Sequence, residues 1–207
     1  TITFLGHGTL MVSFGGRVIH VDPYSKVADY SALPKADAVL ITHEHQDHLD
    51  NEALKHIVTD ETDIVLNRKS AAALGKGRII GNGESKKVLG IKVEAVPAYN
   101  IVHKRDNGQP FHPKGEHNGY VLNFGDTRIY VAGDTENIPE MKELQDITIA
   151  FLPMNLPYTM TPEMAADAAL SFRPKILYPY HYGQTDPEKL VDLLKDSGIE
   201  VRVRKMS

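Results

Sequence analysis

The sequence contains no cysteine, which excludes disulfide bonds and leaves nitrogen and oxygen atoms as the ligands of any metal site. It also lacks an apolar run that approaches the roughly 20 residues of a membrane-spanning helix. The first residues have neither a basic stretch nor the uninterrupted apolar run of a secretory signal, because glycine and histidine interrupt them. We therefore predict a cytoplasmic protein that does not insert into membranes.

An excess of basic residues is missing as well. The chain has 23 Lys and Arg against 27 Asp and Glu, which gives a net charge of −4. A protein dedicated to nucleic acid needs a basic surface, so this balance disfavours nucleic acid as a partner. A small-molecule substrate, including an anionic one, stays compatible, because bound metal ions outweigh a modest net charge locally.

The length and composition favour one folding unit. With 207 residues, 42% of them hydrophobic, the chain can bury a continuous core, and we expect a single domain over residues 1–207. The least patterned stretch, residues 99–118, carries three histidines and is longer than most loops without secondary structure. Long loops of this kind are typically functional, so we expect a functional loop here and no domain boundary.

Short β-branched runs bounded by turn residues predict strands. These runs lie at residues 2–5, 10–14, 17–21, 38–42, 91–96, 120–124, 127–131 and 176–178. The pairs Gly15-Gly16 and Gly125-Asp126 each separate two runs by a two-residue turn, which predicts two β-hairpins. Helix patterns occur at 161–172, with Thr161 as the cap, and at 186–197, with Asp186 as the cap. Interspersed strands and helices predict an α/β fold.

The segment His43-Glu44-His45-Gln46-Asp47-His48 directly follows the predicted strand 38–42. In an extended backbone alternate side chains share a face, so His43 and His45 can converge on one cation. Asp47 and His48 follow as the chain turns, and they offer an oxygen and a nitrogen to a second cation. Such a set of imidazoles and a carboxylate suits zinc, with manganese, iron and nickel as alternatives.

Two further metal-ligand types follow predicted strands later in the chain. Asp134 comes after the strand 127–131, beside a glycine that permits a sharp turn. His181 comes after the strand 176–178, in the segment Pro179-Tyr180-His181-Tyr182-Gly183. Taken alone, Asp134 would be interpreted as an ordinary turn residue, and His181 as a packed, hydrogen-bonded histidine.

In their order along the chain, these pieces resemble the metallo-β-lactamase superfamily. Its pattern is HxHxDH, then a middle histidine, then an aspartate after a strand, then a late histidine. More narrowly, several segments look like the branch that contains ascorbate-6-phosphate lactonase and many metal-dependent hydrolases, namely Leu5-Gly6-His7-Gly8, Val21-Asp22-Pro23, Gly133-Asp134-Thr135, Tyr158-Thr159-Met160 and Pro179 to Gly183. The resemblance implies a four-layer αββα sandwich of the α/β class.

The resemblance also implies a binuclear metal site. On this pattern the ligands are His43 and His45 at the first metal, Asp47, His48 and His181 at the second, and Asp134 as the bridge. His7 and Asp22 would orient these ligands from behind. The bound cofactors would be two divalent ions, with zinc favoured over manganese, iron or nickel.

The middle histidine departs from the pattern, because Ala98-Tyr99-Asn100 stands where the branch has Ala-x-His. We predict His112 as the substitute, since Pro113 restricts His112 to an extended backbone that can point its ring over the site. Asn100, His103 and His117 remain alternatives.

Together the motifs predict a metal-dependent hydrolase that activates water against a small ester, lactone or phosphoester. Asp47 and Asp134 are the candidate catalytic residues, and Tyr158, Tyr182 and Lys104 are the candidate substrate contacts. The alternatives are a nucleic-acid phosphodiesterase, a di-iron redox protein and a non-enzymatic metal-binding protein of the same fold.

Overall fold

The computed structural model describes residues 1–207. Its strands are β1 (Ile2–Gly6), β2 (Thr9–Phe14), β3 (Arg17–Val21), β4 (Ala38–Ile41), β5 (Asp63–Leu66), β6 (Arg78–Ile79), β7 (Ser85–Val88), β8 (Ile91–Ala98), β9 (His117–Phe124), β10 (Thr127–Val131), β11 (Ile149–Pro153), β12 (Ile176–Tyr180) and β13 (Glu200–Val201). The helices are α1 (Asn51–Ile57), α2 (Arg68–Leu74), α3 (Pro162–Phe172) and α4 (Glu188–Leu194), with a 3-10 helix at Pro139–Glu143.

The strands form two mixed sheets. The first sheet has the order β1-β2-β3-β4-β5-β6, and the second has the order β13-β12-β11-β10-β9-β8-β7. In the first sheet β1 to β3 are antiparallel and β3 to β6 are parallel. In the second sheet β7 to β10 are antiparallel and β10 to β13 are parallel. Both hairpins predicted from the glycine turns are confirmed, as β2–β3 and β9–β10.

Three apolar cores separate four layers. The central core lies between the sheets and includes Leu40 of β4 and Phe151 of β11. A second core covers the outer face of the first sheet, where Ile57 of α1 joins the strand residues. A third covers the outer face of the second sheet, where α3 contributes Ala165 and Phe172. Because apolar stripes on the helices are buried on both outer faces, the αββα sandwich is confirmed.

Several elements differ from the sequence prediction. The helices α1 and α2 and the strands β5, β6, β7, β11 and β13 were not predicted, because they are short and have little periodicity. Thr161 caps α3 as expected, since its side chain accepts a hydrogen bond from the Met164 N–H. The last helix begins later than expected: Asp186 accepts from the Glu188 N–H, but α4 starts at Glu188. No helix has the length and apolar character that crossing a membrane requires.

The parallel strands place the predicted motifs at one edge of the sandwich. The HxHxDH segment follows β4 and precedes α1, whereas Asp134 follows β10 and His181 follows β12. The carboxyl ends of parallel strands meet at the same edge of a sheet, so the loops after β4, β10 and β12 converge. The fold therefore gathers residues that are more than a hundred positions apart.

We predict that Leu40→Ala lowers the free energy of unfolding by about 2 to 5 kcal/mol, because Leu40 is fully buried between the two sheets on the strand that precedes the HxHxDH segment. Leu193→Ala is the matched control, since Leu193 is 48% exposed and its loss should cost about 0.5 kcal/mol or less. Urea denaturation followed by circular dichroism measures both. Equal losses in the two variants would contradict the assigned core.

Candidate metal centre

The first group of candidate ligands is His43, His45 and His112, whose ring nitrogens lie within 4.8 Å of one another. His43 Nε2 is 3.0 Å from His45 Nδ1. The His112 ring approaches the His43 ring at a centroid distance of 5.2 Å, although His112 lies on the long loop between β8 and β9. The long loop therefore folds back over the strand edge and brings the His112 ring beside His43.

A second group lies beside the first and contains His7, Asp47, His48 and His181. Asp47 Oδ2 is 3.5 Å from His181 Nε2 and 3.7 Å from His48 Nε2. His7 Nε2 is 2.9 Å from the same Asp47 oxygen, and its ring centroid is 3.7 Å from that of His181. His7 therefore lies within the cluster itself, and not only behind it.

Asp134 lies between the two groups, and its two oxygens face opposite ways. Oδ2 is 3.3 Å from His112 Nε2 and 3.9 Å from His43 Nε2. Oδ1 is 3.5 Å from both His48 Nε2 and His181 Nε2. One buried carboxylate thus contacts both sets of imidazoles.

The donor set fits divalent cations. His48 Nε2, His181 Nε2 and Asp134 Oδ1 are buried and have no hydrogen-bond partner, although they face one another. Two ligands of one tetrahedral zinc ion, each about 2.0 to 2.1 Å from the metal, are roughly 3.3 Å apart. The spacings around Asp134 match that separation, so cations would satisfy polar atoms that are otherwise costly to bury.

Asp22 fixes two of the imidazoles from behind. Its Oδ2 is 2.8 Å from His48 Nδ1 and accepts a 2.6 Å hydrogen bond from the Thr42 hydroxyl. The same hydroxyl is 3.0 Å from His43 Nδ1. With the proton of each ring held on Nδ1, the Nε2 atoms of His43 and His48 are left as free acceptors directed at the centre of the site.

The carboxylates keep the centre negatively charged. Burial opposes ionisation of Asp134, but His181 and His48 hold the pKa of this carboxyl well below its ordinary value. Burial lowers the pKa of His43, and it lowers the pKa of His45 to about 4. Burial opposes protonation of His48, but Asp134 and Asp22 hold the pKa of this imidazole well above its ordinary value. An ionised carboxylate shared by converging imidazoles is the electrostatic setting in which a cation binds.

Asn100 positions His112. The Asn100 Oδ1 atom accepts a 2.9 Å hydrogen bond from the His112 backbone N–H and lies 2.6 Å from His112 Nδ1. Its amide nitrogen donates to Glu136 Oε1 and to the Tyr158 carbonyl. Asn100 therefore occupies the family's position for the middle histidine while it orients the imidazole that reaches the centre.

The two other candidates for the middle position lie elsewhere. His103 Nδ1 is 2.7 Å from the buried carboxylate of Glu136, which also accepts the His103 backbone N–H. His117 is buried at the start of β9, where its ring stacks on His43 and its Nε2 lies 3.2 Å from Glu44. Neither belongs to a group of converging ligand atoms. Of the four candidates, only His112 reaches Asp134.

A cavity of about 390 Å³ opens over the centre. It is lined by His45, Asp47, Arg105, Phe111, His112, Asp134, Asn155, Tyr158 and His181. Tyr158, predicted from sequence to contact substrate, lies here, whereas Lys104 lines a neighbouring cavity. Tyr182 is not in the cavity at all, because its hydroxyl donates to the Arg204 carbonyl and holds the C-terminal segment.

Three residues that line the cavity were not predicted from the sequence, namely Arg105, Phe111 and Asn155. Asn155 follows the short strand β11, so the same strand-end position that identified Asp134 and His181 would have indicated it, had that strand been predicted. Arg105 and Phe111 lie on the long loop, where the sequence shows no periodicity that would fix their direction.

The backbone around the centre is close-packed and strained. His7, Asp22 and His181 have left-handed backbones with φ of 52°, 46° and 45°, a conformation that costs about 1 to 3 kcal/mol for a residue with a side chain. A Cβ at Gly8 would lie 3.0 Å from His48 Cε1 and 3.4 Å from His181 Cδ2. Glycine at position 8 thus lets the backbone pack directly against two candidate ligands.

Comparisons with known proteins identify the family of this chain. The family model described as a beta-lactamase superfamily domain matches residues 1–181. The chain is also 30% identical to the UPF0173 metal-dependent hydrolase of Methanopyrus kandleri, over 98% of this chain and 94% of that protein. The chain belongs to the metallo-β-lactamase superfamily and, within it, to the UPF0173 family of metal-dependent hydrolases.

Solved structures are similar throughout the chain. A crystal structure described as a metal-dependent hydrolase from Parabacteroides distasonis is 53% identical, with a TM-score of 0.96, and the match covers 100% of this chain and 93% of that chain. Igni18, a metallo hydrolase from Ignicoccus hospitalis, is 25% identical with a TM-score of 0.80, over 99% of this chain and 94% of that one. The predicted fold is thereby confirmed.

We predict that Asn100→Ala weakens metal binding by about 10 to 100 fold, the usual effect of losing a residue that orients a ligand. The loss follows because the His112 ring would no longer be fixed by its 2.6 Å contact at Nδ1. Asn107→Ala, on the exposed tip of the same loop, is the control. Competition with a chromophoric chelator gives the affinity, and unchanged affinity in Asn100→Ala would contradict the positioning role.

Proposed function

We propose that this protein uses two divalent cations to hydrolyse a small ester, lactone or phosphoester. The observation that carries the proposal is the placement of Asp134, whose two oxygens face different imidazole groups beneath an open cavity. A single tetrahedral ion would leave several of these converging donors unsatisfied.

The chain supplies two sets of ligands that share one carboxylate. His43, His45 and His112 would hold the first cation, and Asp47, His48 and His181 the second, with Asp134 as the bridge. His7 adjoins the second set through Asp47. When bound, such a pair of cations lowers the pKa of a shared water and polarises the scissile bond.

Zinc fits this donor set best. The ligands are imidazole nitrogens and carboxylate oxygens, and none is a thiolate, because the chain has no cysteine. Manganese, iron and nickel accept the same donors, so the choice between them rests on metal analysis and not on ligand type alone.

The two carboxylates are suited to different tasks. Asp134 has a side chain only 5% exposed and is enclosed by imidazoles, which suits a fixed bridge. The Asp47 side chain is 34% exposed and lines the cavity, so water and substrate can reach it. We therefore assign to Asp47 the acceptance of the proton that the attacking water loses.

A small substrate is supported by the size and the surroundings of the cavity. The volume of about 390 Å³ is at the lower end of the range for sites that bind small organic ligands. A nucleic-acid substrate is disfavoured by the net charge of −4, because the chain does not have the excess of basic residues that is typical of proteins that bind a phosphate backbone.

We predict that fully reconstituted wild-type protein binds two metal equivalents and hydrolyses members of a panel of chromogenic esters. Asp134→Ala should retain the fold, bind less metal and lose at least about 100-fold in activity, because both ligand groups contact this carboxylate. Asp126→Ala, in the exposed β9–β10 turn, is the control.

Elemental analysis and steady-state kinetics on the same samples measure both quantities. Saturation at one equivalent would refute the two-cation account, and full activity in Asp134→Ala would refute the role of the bridge.

We further predict that His112→Ala reduces affinity at the first metal position by at least about 10 to 100 fold, while His103→Ala changes it little. The contrast arises because His112 Nε2 faces Asp134, whereas His103 contacts Glu136. Sequential metal titration by calorimetry resolves the two positions. A larger loss in His103→Ala than in His112→Ala would overturn the assignment of the middle ligand.

A further inference from the structure

Arg105 is the one lysine or arginine among the residues that line the cavity over the metal centre. It lies on the long loop between β8 and β9. The other charged lining groups are the carboxylates of Asp47 and Asp134, which the proposed function assigns to metal binding. Once cations neutralise those carboxylates, Arg105 leaves the mouth of the cavity positively charged.

The loop holds Arg105 in a defined turn. The Arg105 N–H donates to the Gln109 carbonyl, and the Gly108 N–H donates to the Arg105 carbonyl, each at 2.8 Å. Next to this turn, Lys104 and Pro110 form an isolated antiparallel bridge. Backbone hydrogen bonds on both sides therefore fix the direction from which the side chain leaves the loop.

Aromatic rings support the guanidinium. It lies 5.0 Å from the centroid of the Phe111 ring, within the range of a cation–π contact. The Phe111 ring in turn packs edge-on against Tyr158, with centroids 5.0 Å apart. Both rings line the cavity, so the guanidinium and an apolar surface border the same space.

Arg105 has no acidic partner. No carboxylate oxygen lies within 4.0 Å of its guanidinium, whereas Arg17, Arg78 and Arg128 each pair with an aspartate or glutamate. Its one side-chain hydrogen bond is a long 3.5 Å contact to the Phe111 carbonyl. Most of the N–H donors of this fixed cation are thus available to a ligand in the cavity.

We propose that Arg105 binds a negatively charged group, a carboxylate or a phosphate, on the substrate of this enzyme. The inference rests on the proposed hydrolytic function and adds the substrate class. The planar guanidinium matches the paired oxygens of such a group. The anionic group lies at the loop side of the cavity, and the part of the substrate between it and the scissile bond contacts Phe111 and Tyr158.

The test measures binding with three probes that share a 4-nitroanilide. The probes are 4-nitroacetanilide, which is neutral, N-(4-nitrophenyl)succinamic acid, which carries a carboxylate, and N-(4-nitrophenyl)-3-phosphonopropanamide, which carries a phosphonate. Calorimetry is performed on metal-loaded wild type, Arg105→Gln and Arg68→Gln. Arg68 is an exposed, unpaired arginine on α2 and controls for the change in net charge.

We expect wild type to bind at least one anionic probe more tightly than the neutral probe. Arg105→Gln should remove about 10 to 100 fold of that affinity, the value of a hydrogen bond to a charged group, and leave the neutral probe unchanged. The metals attract the anionic probes in all three proteins, so the difference in affinity between wild type and Arg105→Gln measures the contribution of the arginine. A loss of affinity for only one of the two anionic probes shows whether Arg105 binds the carboxylate or the phosphonate.

Equal affinity of wild type for neutral and anionic probes, or equal losses in Arg105→Gln and Arg68→Gln, would overturn the proposal. The hydrolytic function is tested separately with 4-nitrophenyl acetate and mono-4-nitrophenyl succinate. Failure of every metal-loaded sample to cleave either ester would contradict the function while the binding difference stood, so the two failures are distinguishable.

Discussion

The geometry of the centre depends on the buried carboxylate of Asp22, which orients two of the candidate ligands. Through Oδ2 it contacts His48 directly and His43 through the Thr42 hydroxyl, and through Oδ1 it accepts the Thr42 N–H. Its own carbonyl accepts a hydrogen bond from Thr9. A wholly buried charge is tolerated only when it is so fully hydrogen-bonded, and here those bonds decide which nitrogen of each imidazole stays free.

The candidate ligands come from both halves of the sandwich. The HxHxDH segment leaves the first sheet, whereas Asp134 and His181 leave the second. The contact between Asp134 and His48 therefore joins the two sheets, in addition to the apolar core between them and to hydrogen bonds such as the one that the Tyr120 hydroxyl donates to the Ile41 carbonyl. Cations bound by ligands from both sheets would also hold the sheets together, so metal affinity and the free energy of unfolding are coupled.

The parts of the site that could be predicted from sequence are those set by local backbone. His43, His45 and His48 lie within six residues of one another after one strand, and Asp134 and His181 each lie within about three residues of the end of a strand. Lys104 and Tyr182 were predicted as candidate substrate contacts, but the local sequence did not indicate that Lys104 lines a neighbouring cavity or that the Tyr182 hydroxyl donates to the Arg204 carbonyl. Two boundaries also differ from the sequence prediction, since β9 begins at His117 and not at residue 120, and α4 begins at Glu188 and not at residue 186.

The long loop is closed at its base by Asn100 and His112, which exchange hydrogen bonds at 2.8 and 2.9 Å. When the two ends of a loop are fixed, the entropy cost of closing the loop changes only slowly with the length of the loop. Insertions or deletions at the tip can therefore accumulate while the His112 imidazole keeps its place. Because Arg105 and Phe111 lie on this closed segment, a change in its length would move these two cavity-lining side chains while the His112 imidazole stays at the centre.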